Sequence, residues 1–338
     1  MRFPFRCHAI SALLVIAIGP LALSGCGDRG DAGGGRDARS APEPVADRST
    51  DPSNAAPARR GPPQSIGESR IVSLSPAMTQ VLVDLGIGER IVGRTPFCDA
   101  IPSEVAIVGS LLDVDYERLL AVDPTHLIVQ PAASGTDPEL ERLAVAHGWV
   151  LIEQGLDRLA DVADFVDALP DALRIDHRGA AETAELTALR ERAADASLRL
   201  RALLPPTPDV TQPVRARGVR TLLLVGTDPP TAAGRSTFVD EMLQAAGGEN
   251  ATEAEGYPEL TLEDIVGLDP ERILVLREIA IEPREADLLL APFRSTATRA
   301  ARAGRGVNLF VDPFVMLPST RAPEVVERLR SALSEGAS

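Results

Sequence analysis

The chain has 338 residues, 49 acidic and 34 basic, for a formal charge of -15; 44% of its side chains are hydrophobic but only 3% are aromatic. That acidic balance excludes a protein built to hold nucleic acid, which needs a basic stripe to meet phosphates, and it excludes membrane attachment by charge alone. With three cysteines, Cys7, Cys26 and Cys98, a disulfide framework is excluded as well.

Residues 1–26 read as a signal peptide. Arg2 and Arg6 precede an apolar run over 9–23, which is shorter than the ~20 apolar residues of a comfortable membrane span and carries the basic flank of an export signal. Its end, Leu23-Ser24-Gly25-Cys26, is similar to a bacterial lipobox, in which cleavage before the cysteine exposes it for lipidation. Cys26 is therefore the expected anchor, against the plainer reading of a soluble exported protein cut nearby. Residues 27–69 hold Gly, Ala, Pro, Ser, Asp and Arg with few large apolar side chains, a composition that cannot offset its ordering entropy and predicts a disordered tether. About 270 residues then remain, enough for two modest cores.

The folded part starts near Arg70. An apolar strand over 70–74 leads through Ser75-Pro76 into a helix, with proline at the permitted first turn. Short strands over 90–93 and 105–109 follow, the first leading into the loop Thr95-Pro96-Phe97-Cys98-Asp99. Strands over 127–129 and 150–152 bracket a helix over 138–147. Short apolar strands alternating with helices predict a parallel sheet with helices on its faces, here an N-terminal lobe over 70–177. Over 178–204 the sequence turns to Ala, Leu, Glu and Arg without proline, which predicts a stiff helix roughly 40 Å long. A C-terminal lobe over 205–338 follows, with strands over 220–225, 272–276 and 306–310 and helices over 237–246 and 322–333.

One segment occurs twice. Asp115-Tyr116-Glu117-Arg118-Leu119-Leu120-Ala121-Val122-Asp123-Pro124 returns as Thr261-Leu262-Glu263-Asp264-Ile265-Val266-Gly267-Leu268-Asp269-Pro270, and each copy runs on into an apolar strand. Each has a capping residue, an acid in the first turn and an Asp-Pro stop. Such a repeat predicts two similarly built lobes and a cleft between them. The expected fold class is α/β, two similar lobes with parallel sheets flanked by helices, joined by one long rigid helix.

Ser73-Leu74-Ser75-Pro76-Ala77-Met78-Thr79, Thr95-Pro96-Phe97-Cys98-Asp99, Gly234-Arg235-Ser236-Thr237-Phe238, Ala246-Gly247-Gly248-Glu249-Asn250, Tyr257-Pro258-Glu259-Leu260 and Asp312-Pro313-Phe314 resemble, in order, the substrate-binding proteins of bacterial ABC transporters for cobalamin and iron-siderophores. The resemblance covers 70–333. It implies a monomer in the cell envelope, periplasmic or otherwise extracytoplasmic, that captures a small-molecule metal chelate, a corrinoid or a ferric siderophore, and hands it to an ABC permease with its ATPase. It implies no cofactor and no enzymatic activity. By family position the ligand would meet Ser75, Pro76, Phe97, Arg235, Tyr257, Pro313 and Phe314, and the permease would dock on Glu117 and Glu263. Gln130-Pro131 departs from the cobalamin binders, where an aromatic residue often stands. An anionic siderophore would instead want arginines, and Arg94, Arg235, Arg277 and Arg294 fall in or near strand-end loops.

Other chemistries fit less well. His126, His147 and His177 are spread along the mature chain, whereas a free-metal importer needs several close ligands. Asp113-Val114-Asp115 sits at a helix cap instead of after a strand like a phosphatase pair, and Gly234-Arg235-Ser236-Thr237 lacks the lysine and glycine spacing of a phosphate loop. The alternative function is an exported, lipid-anchored hydrolase or chelate-processing protein on the same scaffold. Triads assemble in space, so the sequence leaves that alternative open.

Overall fold

A computed structural model describes residues 68–132, 134–173, 184–204 and 218–334. The expected export signal, Cys26 as the expected anchor, and all but the last two residues of the expected tether lie outside the described residues. The N-terminal lobe comprises β1 (Ile71–Ser73), α1 (Pro76–Asp84), β2 (Ile91–Arg94), β3 (Ala106–Ile107), β4 (Gly109–Ser110), β5 (Asp113–Val114), α2 (Tyr116–Ala121), β6 (His126–Val129), α3 (Pro138–His147), β7 (Val150–Glu153) and α4 (Leu159–Ala172). Its sheet has the order β3-β2-β1-β6-β7, with every neighbouring pair parallel, while β4 and β5 form a small antiparallel hairpin.

After α5 (Ala184–Arg201) comes the second lobe: β8 (Val219–Thr227), β9 (Pro230–Ala232), α6 (Phe238–Ala245), β10 (Gly248–Asn250), α7 (Leu262–Leu268), β11 (Arg272–Arg277), α8 (Pro283–Arg294), α9 (Arg299–Arg302), β12 (Val307–Val311) and α10 (Ala322–Ser334). Here the parallel order is β10-β8-β11-β12, with β9 folded back antiparallel on β8. Apart from the edge strand β3 and the folded-back β9, chain order in the two sheets is the same: second strand, first strand, the strand after the repeated helix, then the last. The repeat thus marks equivalent places, α2 before β6 and α7 before β11. Even the turn geometry recurs, because Asp123 and Asp269 both have φ of 44°, a left-handed conformation that aspartate tolerates better than most side chains.

Strands buried on both faces need apolar residues at successive positions, not alternating ones, and these strands have them. Ile71 and Ile128 face one core while Val72, Leu127 and Val129 face another with Leu119, Leu140 and Leu143. In the second lobe Leu223, Leu274 and Leu276 face the first of these cores, and Leu222, Leu224, Ile273 and Val275 face a third with Ile265, Leu290 and Phe293. The first core is continuous through both lobes. It takes in Met78 and Val81 of α1, Val162 and Phe165 of α4, Leu189 and Ala193 of α5, Met242 of α6 and Leu329 of α10. At roughly 1.5–3 kcal/mol for each large side chain buried, this shared interior binds the lobes more firmly than a covalent hinge alone.

The linking helix ends earlier than the sequence predicts. Residues 202–204 turn out of it, and 178–183 lie outside the described residues. The 18 residues of α5 span about 27 Å. They lie along α4, with Arg190 paired to Asp171 at 2.6 Å and Arg201 to Asp164 and Asp167 at 2.7 and 2.8 Å. Three helices, α4, α8 and the short α9, are additional to those read from the sequence. Leu159, Val162, Ala163, Val166 and Leu169 give α4 its buried face at helical spacing, a periodicity that Pro170 near the end obscures.

Candidate functional site

In a parallel sheet the loops leaving the carboxyl ends of the strands gather along one edge, and most of the residues expected to meet the ligand follow from that. Ser75 and Pro76 follow β1, Phe97 follows β2, and Pro313 and Phe314 follow β12. Arg235 lies between β9 and α6, bridged through its backbone to Glu255, and Tyr257 lies in the loop between β10 and α7. Phe97 is 66% exposed, a large apolar ring standing free at the edge of the N-terminal sheet. On the C-terminal edge the sequence reading omitted Ile279, two residues past β11 and 76% exposed. Its signal was an aliphatic residue in a loop immediately after a strand end.

The two edges meet at Asp157, which follows β7. Its carbonyl accepts a hydrogen bond from Phe238 N at 2.9 Å, at the start of α6 in the other lobe. Burial, with a contribution from the Asp157 charge, pushes the phenol of Tyr257 up to about 12. Tyr257 and Phe314 both pack against the core the lobes share. The Phe314 ring carries the Arg321 guanidinium 5.6 Å from its centroid, and Arg321 Nε donates to Asp84 of α1 at 3.0 Å. Phe314 is thereby held at the seam by a cation that itself ties one lobe to the other.

Several candidates already have structural work. Ser75 Oγ caps α1 by accepting from Met78 N at 3.4 Å and donates to Gln130 Oε1 at 3.1 Å, so Gln130 stands beside the first candidate loop. Arg94 is buried and donates to the carbonyls of Val105, Thr95 and Ser103, which makes it a loop brace. Arg235 is paired with Glu253 at 3.4 Å and Arg294 with Asp287 at 2.9 Å. Arg277, half-buried at the end of β11, makes no side-chain hydrogen bond or ion pair with a described residue. Cys98 is buried and free, with its sulfur 3.1 Å from Thr79 Oγ1 and 3.2 Å from Thr95 Oγ1. Among the described residues no three His, Cys, Asp or Glu side chains are grouped to hold a metal ion, and no helix is long and apolar enough to cross a membrane.

Glu117 and Glu263 occupy the same second position of their helices. Asp115 caps α2 by accepting from Arg118 N at 3.0 Å, and its carboxylate also pairs with Arg118 Nε at 3.1 Å. Thr261 caps α7 by accepting from Asp264 N at 3.1 Å, and Asp264 accepts in return from Thr261 N at 2.8 Å. The other charges of each first turn are thus consumed locally. Glu117 and Glu263 are both exposed, and neither is hydrogen-bonded or ion-paired to a described residue. Because each helix runs back toward the amino end of the next strand, both glutamates lie nearer the carboxyl edge, on the side of the candidate ligand loops.

Sequence comparison agrees with this architecture. The uncharacterized ABC transporter substrate-binding lipoprotein YvrC of Bacillus subtilis is 24% identical over 225 residues, covering 64% of this chain and 67% of that protein. The vitamin B12-binding protein of Yersinia pestis is 25% identical over 210 residues, 61% of this chain and 69% of that protein. The chain is thus similar in sequence to a substrate-binding lipoprotein of an ABC transporter and to a vitamin B12-binding protein. No family model matches it. Solved binding proteins share the fold: the periplasmic heme-binding protein RhuT of Roseiflexus sp. RS-1 superposes with a TM-score of 0.59 at 22% identity, over 80% of this chain and 99% of that one. The periplasmic vitamin B12-binding protein BtuF of Vibrio cholerae gives 0.57 at 20%, over 79% and 97%. In this binding-protein fold, a cavity of about 310 Å³ lined by Arg220, Leu268, Glu271 and Arg299 lies at the opposite, amino edge of the second sheet. Its charges are satisfied internally: Arg220 donates to Leu268 O and Ala251 O, and Arg299 pairs with Glu271 at 2.6 Å.

Proposed function

We propose that this chain is a lipid-anchored solute-binding protein of an ABC importer, which takes a metal chelate between its two lobes and delivers it to a permease driven by an ATPase. The observation that carries the reading is the pair of exposed, unneutralised glutamates at equivalent places in the two lobes, on the side where the ligand loops gather. A lone acid in a helix's first turn has a sufficient role in complementing the helix dipole, worth about 0.3–1 kcal/mol. Two that recur in register while the other charged side chains of both first turns are engaged locally have a further role in docking a cationic partner. The ligand is a corrinoid, another metallated tetrapyrrole or a ferric siderophore. Phe97, Ile279, Tyr257 and Phe314 give it apolar and aromatic surface, and the relatives named for vitamin B12 and heme support that class. Cys26 is the lipid anchor that keeps the protein, as a monomer, at the outer face of the membrane.

Transport tests this reading. With Glu117→Ala and Glu263→Ala combined, uptake of the ligand into cells should fall by at least tenfold while the purified variant binds the ligand as before. Unchanged uptake with unchanged binding would remove the docking role.

A further inference from the structure

The glutamates have company of a kind that charge alone does not require. Leu120 and Val266 occupy the same place in the repeat, each three residues past its glutamate, and both are 40% exposed. Residues three apart on a helix share a face. Each repeated helix therefore presents one unpaired carboxylate next to one uncovered aliphatic side chain. Leu112, in the turn before β5 and 85% exposed, adds to the first patch, and Leu262, at the first position of α7 and 41% exposed, adds to the second. These are four of the eleven exposed large hydrophobics among the described residues, concentrated in two short segments five residues or fewer from a docking glutamate. Aliphatic residues scattered over a surface need no explanation, but the same pairing at the same register in both lobes is not scatter.

We propose that the permease is gripped by two composite patches, Glu117 with Leu120 and Glu263 with Val266, with Leu112 and Leu262 at their margins. The matching chemistry on the partner is a basic side chain bordered by apolar surface, presented once to each lobe. This rests on the docking role assigned to the glutamates and adds a contact that salt does not screen. Steering by charge weakens as ionic strength rises, whereas apolar burial is not screened, so the two parts of each patch separate experimentally.

The test uses the full-length protein and the permease–ATPase complex in nanodiscs, with affinity measured at low and at high salt. Covering the exposed part of one aliphatic side chain corresponds to about a fivefold change in affinity. Leu120→Ser and Val266→Ser should each weaken docking by about that factor, and the double variant by more than tenfold, with the loss persisting in high salt. Leu120→Arg should weaken it further by setting a like charge beside the partner's cation. Glu117→Gln and Glu263→Gln should weaken docking chiefly at low salt. All these variants should bind hemin or cyanocobalamin, whichever the wild type binds, with unchanged affinity and should melt at the wild-type temperature. If the glutamate variants lose docking and the double serine variant does not, the composite patch is wrong and the docking role stands. If the glutamate variants also dock normally, the docking role itself fails.

Discussion

His126 shows how one buried side chain sets a pH limit on the fold. It stands on β6 with no exposure, its Nδ1 2.8 Å from Thr125 Oγ1 and its Nε2 without a partner. Burial pushes its pKa down from 6.5 to about 4, because an imidazolium there would lose its hydration with no carboxylate to replace it. The folded state then binds fewer protons than the unfolded chain between pH 6.5 and 4. The stability this group contributes is complete above 6.5 and is lost as pH falls through that window, by roughly 3 kcal/mol in all. In His126→Leu that part of the acid limb should disappear from denaturant midpoints measured between pH 7 and 4. An unchanged limb would assign acid sensitivity to other groups. At the same scale, the sequence reading placed Ser75, Phe97 and Arg94 in strand-end loops, but it could not show which of them already had partners. Arg94 became a brace because its own loop folds three carbonyls onto it, a closure that only the three-dimensional course of 95–105 determines.

At the scale of elements the repeat was the most legible feature. Cap, acid, buried aliphatic and Asp-Pro stop are local signals with local causes, and Leu119 and Ile265, each two residues past its acid, are both fully buried. The cap hydrogen bonds are expected to matter equally in the two lobes: Asp115→Ala and Thr261→Ala should each cost about 1 kcal/mol in chemical denaturation. A near-zero cost in either lobe would mean that its short helix is held by packing alone. Less legible were α4 and α8. Their amphipathic spacing is present, but proline near the end of each, Pro170 and Pro292, imitates a breaker. Proline in the last turn still has helical neighbours upstream to pack, so the buried face prevails over the lost hydrogen bond. The carboxyl end of α5 was misplaced for the converse reason, since Ala, Leu and Arg favour helix without determining where packing lets it end.

For the whole molecule, the shared core and the polar seam argue for lobes that move little. Glu241 of α6 is buried and accepts from Leu159 N at 2.7 Å and from the Arg158 guanidinium, so the second lobe caps a helix of the first. Asp84 of α1 accepts from Thr320 Oγ1 at 2.5 Å and from Arg321 across the same seam, and Arg199 of α5 meets Glu324 of α10 at 2.6 Å. Removing a buried acceptor leaves its donors stranded, so Glu241→Ala should cost about 2–4 kcal/mol. In a domain of this size that lowers the melting midpoint by roughly 5–15 °C. A shift below 2 °C would mean the seam contributes little to holding the lobes. Two lobes and a link were readable from sequence because the repeat and the run of helix formers are local. The continuity of the core was not, because it depends on which faces of α1, α4, α6 and α10 meet.

The proposed capture of a metal chelate can be read out by thermal unfolding of the purified protein with a panel of cyanocobalamin, cobinamide, hemin, a ferric hydroxamate and a ferric catecholate. A ligand at 100 times its dissociation constant adds about 2.7 kcal/mol, which raises the midpoint by roughly 5–10 °C. A saturable shift of that size is expected with one class of the panel. A well-folded protein whose midpoint moves with none of them would contradict it.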